Sequence, residues 1–214
     1  MLLSDADRER VNARVARAEG RVAAQIVTAV VAKSDAYPEL PWKAFALATA
    51  LAALAVAVGA GLRPGWTALQ DARVLVVVVL GAGLSAAALT VYVPRLARGL
   101  LSGVRAEGEV QQYAQALFLD RELFRTRART GVLLLVSLFE RRVVVLPDRG
   151  IPGDIGEADW QAVVRAMTPG LAAGRVADAL IEGVARVEAL LAAHGMARPA
   201  PGGEELPDVI EERP

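Results

Sequence analysis

Hydrophobic residues fall into three patterns along the chain. Two long unbroken apolar runs, Ala44 to Leu62 and Val74 to Pro94, contain no Asp, Glu, Lys or Arg. Each approaches the roughly 20 residues a helix needs to cross about 30 Å of hydrocarbon. Three shorter, β-branched runs read as buried strands: Ala24 to Val31, Val132 to Leu138 and Val143 to Leu146. Between them lie helical periodicities. Val11, Val15 and Ala18 recur behind a Ser4 cap with Asp5 and Asp7 in the first turn, and Gly20 supplies a stop. Glu109 to Arg127 reads as a helix with Tyr113, Ala116, Leu117, Leu123 and Phe124 on its apolar side, ended by Thr130-Gly131. Asp159-Trp160 opens a helix to about Met167, and a longer amphipathic helix runs from Ala173 to about His194.

These elements predict a small α/β sandwich with a three-strand core, of two or three layers, interrupted by a two-helix transmembrane hairpin. Residues 1–41 supply one helix and one strand, too little to bury a core alone. Residues 42–94 form the hairpin, residues 95–196 complete the sheet and its covering helices, and residues 197–214 are expected to be disordered. Trp42, Trp66 and Tyr92 sit where interfacial aromatics belong. Ala55 with Gly59, and Gly81 with Ser85, place small residues four apart as a candidate close-packing seam.

Charge orients the hairpin. Seven basic residues from Arg8 to Lys43 precede the first apolar run, Arg63 and Arg73 lie in the connecting loop, and Arg95, Arg98 and Arg105 follow the second run. The positive-inside rule then predicts a multi-pass protein of the inner (plasma) membrane with both termini cytoplasmic. The N-terminus lacks the basic start and apolar core of a signal peptide.

Composition narrows the chemistry. The hydrophobic fraction is 54% and the mean hydropathy +0.37, which the two long runs account for. Lys and Arg total 24 against 24 Asp and Glu, so no net field draws in nucleic acid, and none is expected as a partner. The chain has no Cys and a single His, His194, which removes thiolate chemistry and His-based metal sites. No Walker loop or HExxH motif occurs. Asp148 and Asp154 flank the Gly-rich loop after the third strand, with Glu157 and Asp159 behind them. Such carboxylates could hold Ca²⁺ or Mg²⁺, which take hard oxygen ligands, and they serve equally as turn and cap residues. Glu140-Arg141-Arg142 reads as an exposed hairpin tip, and His194 as a structural residue at a helix end.

The run from Arg125-Thr126-Arg127 through Thr130-Gly131-Val132 to Pro147-Asp148-Arg149-Gly150-Ile151 resembles the core of the TPM domain family. It is similar in particular to bacterial membrane members in which a transmembrane pair interrupts the domain. Ala114, Phe118, Trp160, Ser34-Asp35 with Tyr37, and the terminal Glu205-Leu206-Pro207-Asp208 fit the same pattern. The resemblance implies relatives that include thylakoid proteins of photosystem repair, with a proposed acid phosphatase activity, and an auxiliary subunit of an acetylcholine receptor. Some members bind divalent cations through acidic residues at the end of the sheet. Many close relatives carry an acid where this chain has Gln25. The expected role is a membrane-anchored module that binds or scaffolds another membrane protein or a second copy of itself. The alternative is a weak metal-dependent acid phosphatase.

Overall fold

The computed structural model describes residues 2–62, 72–197 and 209–212. The expected loop at residues 63–73, with Trp66, lies for the most part outside them. By contacts the chain divides into two units, Met1–Asp35 with Ala106–Pro214, and Ala36–Arg105.

In the first unit, helix α1 (Asp5–Glu19) starts at Ser4, whose Oγ accepts the Asp7 N–H at 3.1 Å. Strand β1 (Gln25–Val31) follows, its Ile26 N–H held by the Glu19 carboxylate at 2.8 Å. The unit resumes at Ala106 within helix α5 (Gly103–Asp120), and a 3₁₀ turn (Leu123–Arg125) then leads to β2 (Gly131–Ser137) and β3 (Arg142–Pro147). Helices α6 (Glu157–Ala172) and α7 (Val176–Leu191) complete the unit, with a closing turn at Ala192–Met196 and a strand β4 (Val209–Glu212).

The sheet order is β3-β2-β1-β4. β1 runs parallel to β2, pairing Gln25 with Gly131 through Val31 with Ser137, and β3 returns antiparallel to β2. Every residue of β1 and β2 is buried, as expected of parallel strands covered on both faces. Alternation divides their side chains. Ile26, Val30, Val132, Leu134 and Val136 pack with α1, α6 and α7, whereas Val27, Ala29, Val31, Leu133 and Leu135 pack with α5. The sandwich therefore has three layers.

Several boundaries depart from the sequence reading. α5 begins at Gly103 rather than Glu109 and ends at Asp120, because Glu122 takes a left-handed conformation (φ 52°) that breaks the helix before Arg127. α6 extends from Glu157 to Ala172 through Pro169, and Asp159 is its third residue rather than its cap, accepting the Gly156 N–H at 3.0 Å. α7 starts at Val176. The tail expected to lack structure contributes β4, which pairs in parallel with Thr28 to Val31 and supplies the backbone partners that the second edge of β1 would otherwise lack.

In the second unit, α2 (Glu39–Leu62) and α3 (Ala72–Tyr92) pack against each other, and Pro94 opens a separate helix α4 (Pro94–Leu100) instead of ending α3. At 24 and 21 residues, α2 and α3 span about 36 Å and 31 Å. Both are long and apolar enough to cross a membrane, and Leu47, Leu54, Val77 and Leu84 stand exposed on them. Trp42 and Tyr92 are exposed near their outer ends. The close approach lies elsewhere than the proposed seam. A Cβ at Gly83 would sit 2.2 Å from Thr49 Oγ1 and 2.8 Å from the Phe45 ring, while Gly59 and Gly81 have nothing within 4 Å. Side-chain periodicity alone could not say which of the alternate small residues faces the partner helix.

Two predictions follow from this packing. Gly83→Leu should separate α2 from α3 and lower the detergent-solution Tm, whereas Gly81→Leu should leave it near the parent value. On the first unit, Arg14 of α1 and Arg21 just after it bond the Glu188 carboxylate of α7 at 2.5 Å and 3.2 Å. Burial pushes that carboxyl's pKa up, but the two arginines outweigh it and hold it below the ordinary value. A depressed carboxyl contributes stability that is complete above the unfolded value of about 4.3 and is lost as pH falls through the lower folded value. Glu188→Gln should therefore cost about 1 kcal/mol or more at pH 7 and much less at pH 3, read by denaturant unfolding at the two pH values.

Candidate functional site

Two polar clusters sit at opposite ends of β2, separated by its seven residues, about 20 Å. At the amino end, Asp148 follows β3 and accepts two hydrogen bonds from Arg129, Nε to Oδ2 at 2.8 Å and Nη2 to Oδ1 at 3.1 Å. The Arg149 N–H adds a third at 2.8 Å. Arg129 is held there by a left-handed backbone (φ 57°), and its guanidinium lies 5.5 Å from the Phe124 ring centre. The hydrogen bonds it donates to Asp148 raise the guanidinium's pKa above its ordinary value. Gly150 closes the arrangement, with its N–H on the Arg129 carbonyl at 2.7 Å; a Cβ there would lie 2.1 Å from the Ala128 carbonyl oxygen.

At the carboxyl end, the chain leaving β1 meets the β2–β3 hairpin. Ser34 donates its N–H to Glu140 Oε1 at 3.0 Å, and Ser34 Oγ and Ser137 Oγ lie 3.0 Å apart. Ser137 Oγ donates in turn to Glu140 Oε2 by a short bond. Glu140 is 8% exposed and Ser137 fully buried. Lys33 covers the Phe139 ring at 5.0 Å. The carboxyl ends of parallel strands are where α/β sheets most often present ligand-binding groups. Here the polar groups spend their hydrogen bonds tying β1 to the hairpin.

The sequence reading of this hairpin is corrected on one point. Glu140 is a buried acceptor and not part of an exposed tip, since Arg141 takes a left-handed conformation (φ 54°) that turns the chain and leaves its own side chain outside. The signal available beforehand was Ser137 three residues ahead of Glu140, the spacing of a side-chain-bonded turn. His194 lies in the turn after α7, where Nδ1 donates to the Leu190 carbonyl at 2.9 Å.

The two proposed metal ligands stand in different surroundings. Asp148 is buried with both oxygens turned to Arg129, and Asp154 stands exposed on the loop before α6. Among the described residues no three His, Asp or Glu side chains group as a metal site. A divalent cation needs several free oxygen donors, and an arginine-filled carboxylate offers none without expelling the arginine. In this arrangement the residues do not fit Ca²⁺ or Mg²⁺ as a resident ion.

A family model of the TPM domain matches residues 84–190, half of the chain and all of its β2–β3 core. The chain belongs to the TPM domain family. The fold agrees with this: the NMR structure of the BA42 protein from the psychrophilic bacterium Bizionia argentinensis superposes with a TM-score of 0.58 at 13% identity. That superposition covers 98% of this chain and 95% of the other. No curated protein matches the chain in sequence. Within the TPM core, the Arg-Thr-Gly and Asp-Arg-Gly segments prove to be the two sides of the Arg129–Asp148 clasp.

Asp148→Asn should halve that clasp by removing its charge, and is expected to lower the Tm of the TPM domain with no change in Ca²⁺ affinity measured by calorimetry. Gly150→Ala should destabilise it further, by roughly 1–3 kcal/mol, because backbone carbonyls and not a yielding side chain occupy the space.

Proposed function

We propose that this chain is a membrane-anchored TPM domain, tethered by α2 and α3 and held on the cytoplasmic face, that binds another membrane protein. The parallel pairing of β1 with β2 is the observation that carries it. β1 precedes the apolar helices in the chain and β2 follows them, yet the two strands share seven paired positions in one sheet. A hairpin that crosses the bilayer twice returns the chain to the side it left, which is what that pairing requires. The basic flanks, seven residues before α2 against two between the helices, favour the cytoplasmic side.

The binding role rests on what the domain offers outward. A shallow cavity of about 550 Å³ on the outer side of α5 is lined by Tyr113, Ala116, Leu117, Leu119 and Asp120. Leu119 is 64% exposed there, an apolar residue beside a carboxylate, the mixture of an interface core and rim. The two acidic clusters, by contrast, are satisfied internally.

Two measurements test the proposal. With Cys introduced singly into this Cys-free chain, an impermeant maleimide on intact cells should label Thr67→Cys and leave Ala128→Cys unlabelled. Labelling at Ala128 alone would reverse the orientation. A photo-crosslinker at Leu119 should capture one discrete membrane-protein adduct in native membranes, lost on Ala116→Arg substitution. Purification as a bare monomer in every mild detergent, with no adduct in membranes, would remove the binding role and leave the tether.

A further inference from the structure

Residues 209–212 pair with β1 although they lie far beyond the last helix in the chain. Met196 ends the helical layer with its carbonyl accepting the Ala23 N–H at 2.8 Å, just ahead of β1. β4 then lies along the free edge of β1, pairing Thr28 with Val209, Ala29 with Ile210, Val30 with Glu211 and Val31 with Glu212. Met196 thus stands beside Ala23, and β4 starts opposite Thr28, five residues further on, about 17 Å along the strand. The connection, residues 197–208, is twelve residues long and can span about 40 Å when extended. Its length exceeds the need more than twofold, so the segment is not forced onto the strand of its own chain.

Strand β4 is also short. Four ladder positions make a weak attachment compared with the seven that join β1 to β2. Local composition does little to build it in: Pro199, Pro201, Gly202, Gly203 and Pro207 precede it, and Glu211 and Glu212 are its last two residues. What the segment meets is a fully buried, β-branched strand whose edge N–H and C=O groups need partners. Strand addition of this kind takes affinity from the backbone and tolerates exchange of one like segment for another.

We propose that the β1 edge is a peptide-binding site for the C-terminal segment of this chain, filled in cis by residues 209–212 and open to the same segment of a second copy. The trans partner is a second copy because the resident ligand is part of the chain, and a neighbour's segment brings the same residues in the same parallel register. In the cis state the tail competes at an effective concentration of the order of 1 mM, which keeps isolated molecules closed. Crowding of tethered copies raises the trans term toward that level. The inference goes beyond the proposed tether and partner, and it holds or fails on the sheet edge alone.

The absence of Cys makes a direct test available. Adjacent strands bring paired Cα atoms to about 5 Å, within disulfide range. Full-length chains carrying Ala29→Cys and Ile210→Cys on two differently tagged copies should be co-expressed, purified in mild detergent and oxidised. A cross-linked heterodimer is expected from the mixed copies, and an intramolecular disulfide from one chain carrying both substitutions. An intramolecular bond without any heterodimer would overturn exchange between copies, and absence of both would overturn the site. A second measurement avoids substitution inside the sheet. A labelled peptide of residues 197–214 should bind chain truncated after Met196 saturably, and bind the full-length chain at least about tenfold more weakly. Equal binding to both, or binding to neither, would overturn the proposal.

Discussion

The parallel ladder between β1 and β2 is the contact on which the rest of the TPM domain depends. It joins residues a hundred positions apart in the chain, and two apolar helices are encoded between them. β1 can find no substitute nearby, since the described residues 2–35 hold only one helix and one strand. Once the ladder closes, both of its faces demand cover, and the helices sort accordingly: α1, α6 and α7 on one side, α5 on the other. The loop-closure cost of such a distant pairing is moderated when the intervening segment is itself a compact helical hairpin whose ends lie close.

Around that ladder the charged groups act mainly as fasteners. Glu140 ties Ser34, at the exit of β1, to the β2–β3 turn, and Asp148 holds Arg129 at the entrance of β2. Glu188 secures α1 to α7 through Arg14 and Arg21. Each lies where a backbone element changes direction or where two elements far apart in sequence meet. Buried carboxylates cost free energy unless hydrogen-bonded, and each of these is met by at least two donors. Outward, the same domain leaves Leu119 exposed on α5, and among the described residues four of β4 pair with the second edge of β1.

Much of the architecture was legible beforehand because the apolar patterns are pure. The three core strands and the two long apolar helices follow from runs whose length and β-branching admit few alternatives, and the Ser4 cap from a side chain acting within three residues. The Arg-Thr-Gly and Asp-Arg-Gly segments marked the family, although their role did not show in them: pairing Arg129 with Asp148 required β3 to fold back along β2.

Local sequence therefore determined the elements, because capping, periodicity and continuous hydrophobicity act over a few residues. Tertiary structure decided the matters that depend on which surfaces meet. It selected Gly83 over Gly59 and Gly81 for the close approach of α2 and α3, because that choice depends on the rotation of one helix against its neighbour. It buried Glu140, which two arginines follow in the sequence, because one of its two donors, the Ser34 N–H, arrives from beyond the end of β1. It drew Val209–Glu212 into the sheet although Pro and Gly precede it, because the unsatisfied backbone edge of β1 is a property of the assembled sheet and of no single segment.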